Sequence, residues 1–206
     1  MSGVIRIQQI LQTVSQESLR HGQWLIEKHP TIWDCFAVLD KNAILAVEIL
    51  GGFLEKWLPV EVGLFPNQYA ERIKMVLRSA FFVGLSVVEY AMKKTIEDVG
   101  RGKLLDWNSS RKLSNKRVYL SSIIRQSRKL NMIDEKQKDS WLGLNELRNM
   151  LIHNNGYADA AKILSIDEVK IELVENETAQ IPFQNYAYFL KSITNLYRVW
   201  IESYLK

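Results

Sequence analysis

Arg148, Asn149 and His153 combine side-chain types and a spacing that suit chemistry at an anionic group. A guanidinium is always charged and binds anionic oxygens as a fork, and an imidazole exchanges a proton near neutral pH. The pattern predicts a helix from about Asp134 to His153, which Asn154-Asn155-Gly156 would end. These three residues are therefore the first candidates for a functional site.

Helical geometry places Arg148 in the middle of an apolar sector of this helix. Charge removed from water is costly unless it is paired, so Arg148 needs a partner or an anionic ligand. The acidic Glu89, which interrupts another apolar run, is a hypothetical partner; pairing of Glu89 with Lys93 is the alternative. The apolar sector comprises Trp141, Leu144, Leu147, Leu151 and Ile152.

A second, polar stripe of the same helix holds Glu146, Asn149 and His153. Arg148 and His153 point about 140° apart, so one straight helix does not aim both at the same atom. Convergence requires the long reach of Arg148, an unwound last turn or a second copy of the helix. Alternatively, His153 only caps the helix and Arg148 only contacts an internal carboxylate.

The segment LNELRNMLIHNNG, from Leu144 to Gly156, resembles the R-x(4–6)-H motif of the HEPN superfamily. Asn149 matches the polar residue that usually follows the arginine. The resemblance covers roughly residues 69–205. It implies an up-and-down helical bundle in which the motif lies late in the penultimate core helix and a final helix follows.

The resemblance also implies metal-independent RNA cleavage in a cleft shared by two subunits, with no cofactor. His153 would be the acid/base group, Arg148 would stabilise charge on the phosphorane and Asn149 would orient the site. The family includes toxins and phage-defence proteins, so an antitoxin or regulatory protein is an expected partner beside RNA and a second copy. The alternative is a non-catalytic HEPN module that binds nucleotide, RNA or a partner protein.

Positive charge is concentrated between Arg101 and Lys129, where nine basic residues stand against the single acid Asp106. The remaining chain has 18 basic and 22 acidic residues, although the net charge of the whole is +4. Such a segment is typical of a surface that faces a polyanion. A predicted helix over 116–130 carries Arg117, Arg125 and Arg128 on one face; these are candidate RNA contacts or simply a solvated face.

The sequence predicts an all-α fold, an up-and-down helical bundle of the HEPN type with a small β-hairpin before the last helix. Helical periodicity predicts helices over 4–20, 69–99 and 183–205. A further helix would begin at a Thr31 cap, and Gly51-Gly52 could kink it. Alternating residues within 163–182 predict the hairpin, with a turn at 175–177. We expect an N-terminal helical extension over 1–65 and a HEPN-like helical domain over 66–206.

Composition bounds the remaining possibilities. Cys35 is the only cysteine, so neither an intramolecular disulfide nor a cysteine-based zinc cluster forms within one chain. His21 and His29 have no ligand spacing with the motif, and we expect no metal site. The stretch from Ser79 to Met92 contains Glu89 and is shorter than the ~20 residues of a membrane span. With no secretory signal, these features predict a cytoplasmic protein without a membrane partner.

Overall fold

A computed structural model of the chain describes residues 2–56, 66–99 and 119–206. These residues form α1 (Ser2–Lys28), α2 (Cys35–Lys56), α3 (Pro66–Val99), α4 (Leu120–Lys129), α5 (Glu135–His153), β1 (Lys162–Ile166), β2 (Val169–Leu173) and α6 (Phe183–Tyr204). The prediction of a mainly helical chain with a small hairpin before the last helix is confirmed. The up-and-down order of the helices stays a prediction.

The chain divides into two compact units. The first contains Met1–Lys28, Asp34–Val87 and Ile181–Thr194, and the second contains His29–Trp33, Val88–Gln180 and Asn195–Lys206. Helices α3 and α6 contribute residues to both. The first unit takes residues from either side of position 65, and the predicted division into 1–65 and 66–206 stays a prediction.

In the first unit, α1 packs along α2 and is longer than its predicted span of 4–20. One face of α1 is buried through Ile7, Leu11 and Val14, and the Ser15 hydroxyl donates to Asp40 Oδ1 at 2.6 Å. The apolar period continues to the buried Leu25. Burial of this face against α2 stabilises a helix of 27 residues.

Helix α2 begins later than predicted, because its cap is not Thr31. The Asp34 carboxylate accepts the backbone N–H of Ala37 at 3.2 Å, which is the geometry of an N-cap. The prediction of Thr31 as the cap is therefore wrong. Gly51 and Gly52 lie within the helix and do not interrupt it.

Helix α3 supplies the aromatic centre of the first unit, where the Phe81 ring contacts Tyr186 and Phe189 of α6. Gly84 allows a close approach, since a Cβ there would lie 2.5 Å from Leu190 Cδ1. Within the described chain, one helix, Gln68–Val99 of α3, is long and apolar enough by length and composition to cross a membrane. Because core helices meet the same criterion, this indication is weak, and the predicted absence of a membrane partner stays a prediction.

In the second unit, α5 has well-defined ends, as the sequence predicts. Asp134 caps its start, and the Gln137 side chain accepts the Asp134 backbone N–H to complete a capping box. At its end Asn155 and Gly156 adopt φ values of 50° and 89°, and the Gly156 N–H donates to the Met150 carbonyl at 3.1 Å. This left-handed ending terminates the helix directly after His153.

The hairpin lies against α5, and this contact sets the position of the hairpin turn. The predicted turn at 175–177 is not the hairpin turn: β1 and β2 are antiparallel, with Ile166 opposite Val169. The turn residue Asp167 has φ 50° and donates its backbone N–H to Ser140 Oγ of α5 at 2.9 Å. Gly143 of α5 faces β1 so closely that a Cβ there would lie 3.0 Å from the Ser165 carbonyl.

The C-terminal part of α6 is tied to α4 by a buried hydrogen bond. Trp200 Nε1 donates to Ser127 Oγ at 2.9 Å, and Ser127 in turn donates to the Ile123 carbonyl. Both side chains are fully buried. Their mutual hydrogen bond satisfies two polar groups that would otherwise be costly inside the unit.

Candidate functional site

The second unit contains an open groove of about 420 Å³ beside α5. Helix α4 contributes Ser121 and Arg125, and the hairpin contributes Lys162 and Leu173. The remaining lining residues come from α5 and the segment after it: Leu142, Asn145, Glu146, Asn149, Met150, His153, Asn154, Ala158 and Asp159. The hairpin forms a wall of this groove because Gly143 lets it pack closely on α5.

The polar stripe predicted on α5 faces this groove. Glu146, Asn149 and His153 all line it, and the last two are exposed. Helical steps of three and four residues stack the three side chains on one side, and the helix ends directly after His153. A ligand in the groove would therefore meet an amide and an imidazole without any rearrangement of α5.

Arg148 does not line the groove. Its side chain is only 16% exposed, and its Nη1 lies 2.7 Å from Glu89 Oε2 of α3. Its other terminal nitrogen, Nη2, donates to Asn145 Oδ1 at 3.2 Å and to Asn149 Oδ1 at 3.5 Å. The guanidinium is thus held beside the groove and contacts two of the amides that line it.

Glu89 is shared between two cations. Both alternatives for this residue are found together, because Lys93 Nζ lies 2.6 Å from Oε1 while Arg148 binds Oε2. Burial alone would raise the pKa of Glu89, but hydrogen bonds from Lys93 and Arg148 and their positive charges lower it overall. The cluster of one acid and two bases keeps a net positive charge.

The apolar sector of α5 differs from the prediction at one position. Trp141, Leu144, Leu147 and Leu151 are buried, but Ile152 is 48% exposed, so its assignment to the buried sector is wrong. Met150 is buried in its place. Burial follows the apolar sector as far as Leu151 and ends before Ile152.

The charged residues of the groove largely balance one another. Glu146 forms an ion pair with Lys162, so α5 and β1 are linked across the groove. Asp159 accepts a hydrogen bond of 2.8 Å from the Asn154 amide. Arg125 lines the groove and has no ion pair with any described residue.

The predicted RNA-binding arginines do not share one location. Arg125 lines the groove, whereas Arg128 does not; its Nε lies 2.9 Å from Glu135 Oε2, and it also donates to Asn131. Arg117 lies outside the described residues, as does most of the basic segment between Arg101 and Lys129. The RNA-binding role of all three arginines stays a prediction.

Sequence reasoning missed Asn145, Asp159 and Lys162. Asn145 lies one turn before Asn149 on α5, so its place on the polar stripe could have been found by helical spacing. Lys162 and Asp159 reach the groove only because the hairpin folds back on α5. Within the part of the chain that the structure describes, no cluster of three His, Cys, Asp or Glu side chains is placed to hold a metal ion.

Comparison with known proteins gives no relative from which a function could be transferred. No family model, no curated protein and no solved structure matches the chain.

Proposed function

We propose that the protein is a metal-independent endoribonuclease of the HEPN type. The observation that carries this proposal is the open groove lined by Asn149 and His153, with Arg148 held at its side by Glu89. The exposed imidazole of one copy and the guanidinium of a second copy would supply a proton exchanger and an anion ligand, the two groups that phosphodiester cleavage requires.

In the proposed reaction, the 2′-hydroxyl of RNA loses its proton to a base and its oxygen bonds to the adjacent phosphorus. The bond to the 5′-oxygen breaks, and that oxygen takes up a proton. The products are a 2′,3′-cyclic phosphate and a 5′-hydroxyl. His153 carries out acid/base exchange, Arg148 stabilises the extra negative charge on the phosphorane, and Asn149 orients the groups.

The proposed active unit is a homodimer. His153 lines the groove while the Arg148 guanidinium is held by Glu89 and Asn145, so one chain does not present both groups to the same point. Two copies that bring their motifs into one cleft supply the histidine of one chain and the arginine of the other. This arrangement answers the 140° divergence of the two side chains on one helix.

RNA is the proposed substrate, and its phosphates would meet the basic side chains Arg125 and Lys162 that line the groove. A cytoplasmic toxin or phage-defence role, with an antitoxin or regulatory protein as partner, belongs to the same proposal and rests on the resemblance of the motif.

A non-catalytic HEPN module that binds nucleotide, RNA or a partner protein is the second candidate. The ion pairs favour it, because Glu89 occupies Arg148 and Glu146 occupies Lys162. Arginine and lysine side chains that are already paired are less available for the charge stabilisation that cleavage requires.

Cleavage of mixed RNA in the presence of chelator distinguishes the two candidates. We expect wild-type protein to produce fragments with cyclic phosphate ends and His153→Ala to produce none. Ile152→Ala is the matched control, since Ile152 is an exposed neighbour that does not line the groove. Equal cleavage by wild type and His153→Ala, or none by either, contradicts the enzyme proposal.

A further inference from the structure

The solvent-facing side of α1 carries an uncharged stripe along most of the helix. Seven exposed residues recur at alternating steps of four and three: Ile5, Gln9, Gln12, Gln16, Leu19, Gln23 and Ile26. Three of them are large apolar side chains at the surface, with exposed fractions of 47% for Ile5, 57% for Leu19 and 54% for Ile26. We call this set the α1 stripe.

The spacing of the α1 stripe is the 3.5-residue repeat by which one helix packs along another. Residues Gln9, Gln16 and Gln23 occupy one heptad position, and the apolar residues occupy the other together with Gln12. The opposite face of α1 is already buried against α2, so the stripe is additional to what folding of the first unit requires. Packing on α2 also holds α1 helical, which lowers the entropic cost of docking.

Charged residues flank the stripe without entering it. Arg6 and Glu27 both follow an apolar stripe residue, Ile5 and Ile26 respectively, and lie at opposite ends of α1. Neither forms an ion pair with a described residue, although Glu27 accepts a hydrogen bond from the Gln23 amide. Flanking charges of this kind set the orientation and register of paired helices.

We propose that the α1 stripe binds the α1 stripe of a second copy of the chain in antiparallel orientation. In that orientation Arg6 of each copy lies beside Glu27 of the other, which gives two opposite-charge pairs at the two ends of the interface. A shift by one heptad would instead bring Arg6 beside Arg20 of the second copy. Repulsion between those like charges selects the first register.

The composition of the stripe favours a second copy over a different partner. A glutamine amide both donates and accepts hydrogen bonds, so the stripe complements itself. In the selected register Gln12 lies opposite Gln23 of the second copy, and Gln16 lies opposite Leu19. A lipid surface would take the Gln9, Gln12 and Gln16 amides out of water without offering them hydrogen bonds, and the stripe has no charge to recognise a charged protein.

This proposal goes beyond the proposed function and does not depend on it, because no residue of the groove takes part. Its test needs no RNA. A protein that fails to cleave RNA can still associate through α1, and a protein with a disrupted stripe keeps every groove residue.

The first test measures the mass of the full chain in solution by sedimentation equilibrium over a range of concentrations. In the selected register Leu19 lies near Leu19 of the second copy, so Leu19→Lys places two like charges close together. We expect this change to raise the Kd of self-association by on the order of tenfold or more. Leu45→Lys is the matched control, because Leu45 on α2 is an equally exposed leucine of the first unit, at 55%. A wild-type monomer, self-association that Leu19→Lys leaves unchanged, or equal loss in both variants overturns the proposal.

The second test exchanges the flanking charges. We expect Glu27→Arg alone to weaken self-association, and the double variant with Arg6→Glu to restore it, because the exchange regenerates both opposite-charge pairs. Recovery of self-association in the double variant is specific for antiparallel pairing with a second copy. An unrelated partner would meet two charges of reversed sign and would bind less well. Circular dichroism checks that each variant is folded. Failure of the double variant to recover the wild-type mass overturns the proposed orientation.

Discussion

The Glu89 carboxylate, at the residue scale, binds two cations from different directions. Arg148 is one of them, and removal of its anionic partner would leave a guanidinium largely withdrawn from water. We therefore expect Glu89→Gln to lower the free energy of unfolding by about 1–3 kcal/mol. Urea denaturation at pH 7 measures this loss. Asp98→Asn is the control, since an exposed ion pair such as Asp98–Lys94 contributes little to stability.

The contribution of Glu89 should depend on pH in a definite direction. Its pKa in the folded protein is lowered below the ordinary value of 4.5, so the folded state favours the ionised form. The resulting stability is complete above pH 4.5 and is lost as the pH falls through the folded pKa. Wild type and Glu89→Gln should thus converge in stability under acid conditions. A difference that grows on acidification would contradict this assignment.

The two described arginines of the predicted basic face should differ in RNA binding. Arg125 lines the groove, while Arg128 is paired with Glu135 away from it. We expect Arg125→Ala to weaken binding and to reduce the slope of log K against log salt by about one. Arg128→Ala should change both much less. Filter binding at several salt concentrations measures the slope, and equal effects of the two variants would count against the groove as the RNA site.

The sequence alone allowed part of this residue-scale picture to be predicted. Arg148 in an apolar sector required a partner, and Glu89 in another apolar run was a suitable one. Spacing offers Arg148 and Lys93 as alternative partners of Glu89. It could not show that both bind the same carboxylate, one at each oxygen. Nor could spacing reveal Lys162, since its approach to Glu146 depends on how the hairpin packs.

At the scale of elements, the close contact between α5 and β1 depends on Gly143. We expect Gly143→Val to destabilise the protein by about 1–3 kcal/mol, because a branched side chain must displace the Ser165 carbonyl and the Ile166 side chain. It should also reduce any activity that depends on the groove wall. Thermal denaturation measures the first effect.

Gly52 provides the opposite case. It lies within α2, and a Cβ there would meet no atom of the described residues within 4 Å. Gly52→Ala should therefore stabilise the protein by about 0.5–1 kcal/mol through helix propensity alone. Stabilisation by both glycine substitutions would show that the hairpin does not pack tightly on α5.

The existence of the elements was easier to predict than their ends. Helical periods and the start of α5 at Asp134 follow from local sequence, and both are found. The predicted start of α2 is wrong because Asp34, and not Thr31, accepts the backbone N–H of Ala37. The predicted hairpin turn is wrong because the Asp167 backbone binds Ser140, which is distant in the sequence. Tertiary hydrogen bonds of this second kind leave no local sequence signal.

At the scale of the whole molecule, the proposed active unit contains two copies of the chain. His153 faces the groove and Arg148 is held at its side, so the proposed composite site takes one residue from each copy. The α1 stripe shares no residue with the groove, so its variants should alter assembly without altering the chemistry at the motif.

Complementation between inactive variants tests the composite site most directly. Arg148→Ala and His153→Ala should each be inactive as pure proteins. When the two variants are mixed and exchange subunits, each mixed dimer has one intact site out of two. We expect an equimolar mixture to recover about a quarter of the wild-type RNA cleavage rate. A wild-type protein that cleaves RNA while the mixture stays inactive would contradict a site shared between two chains.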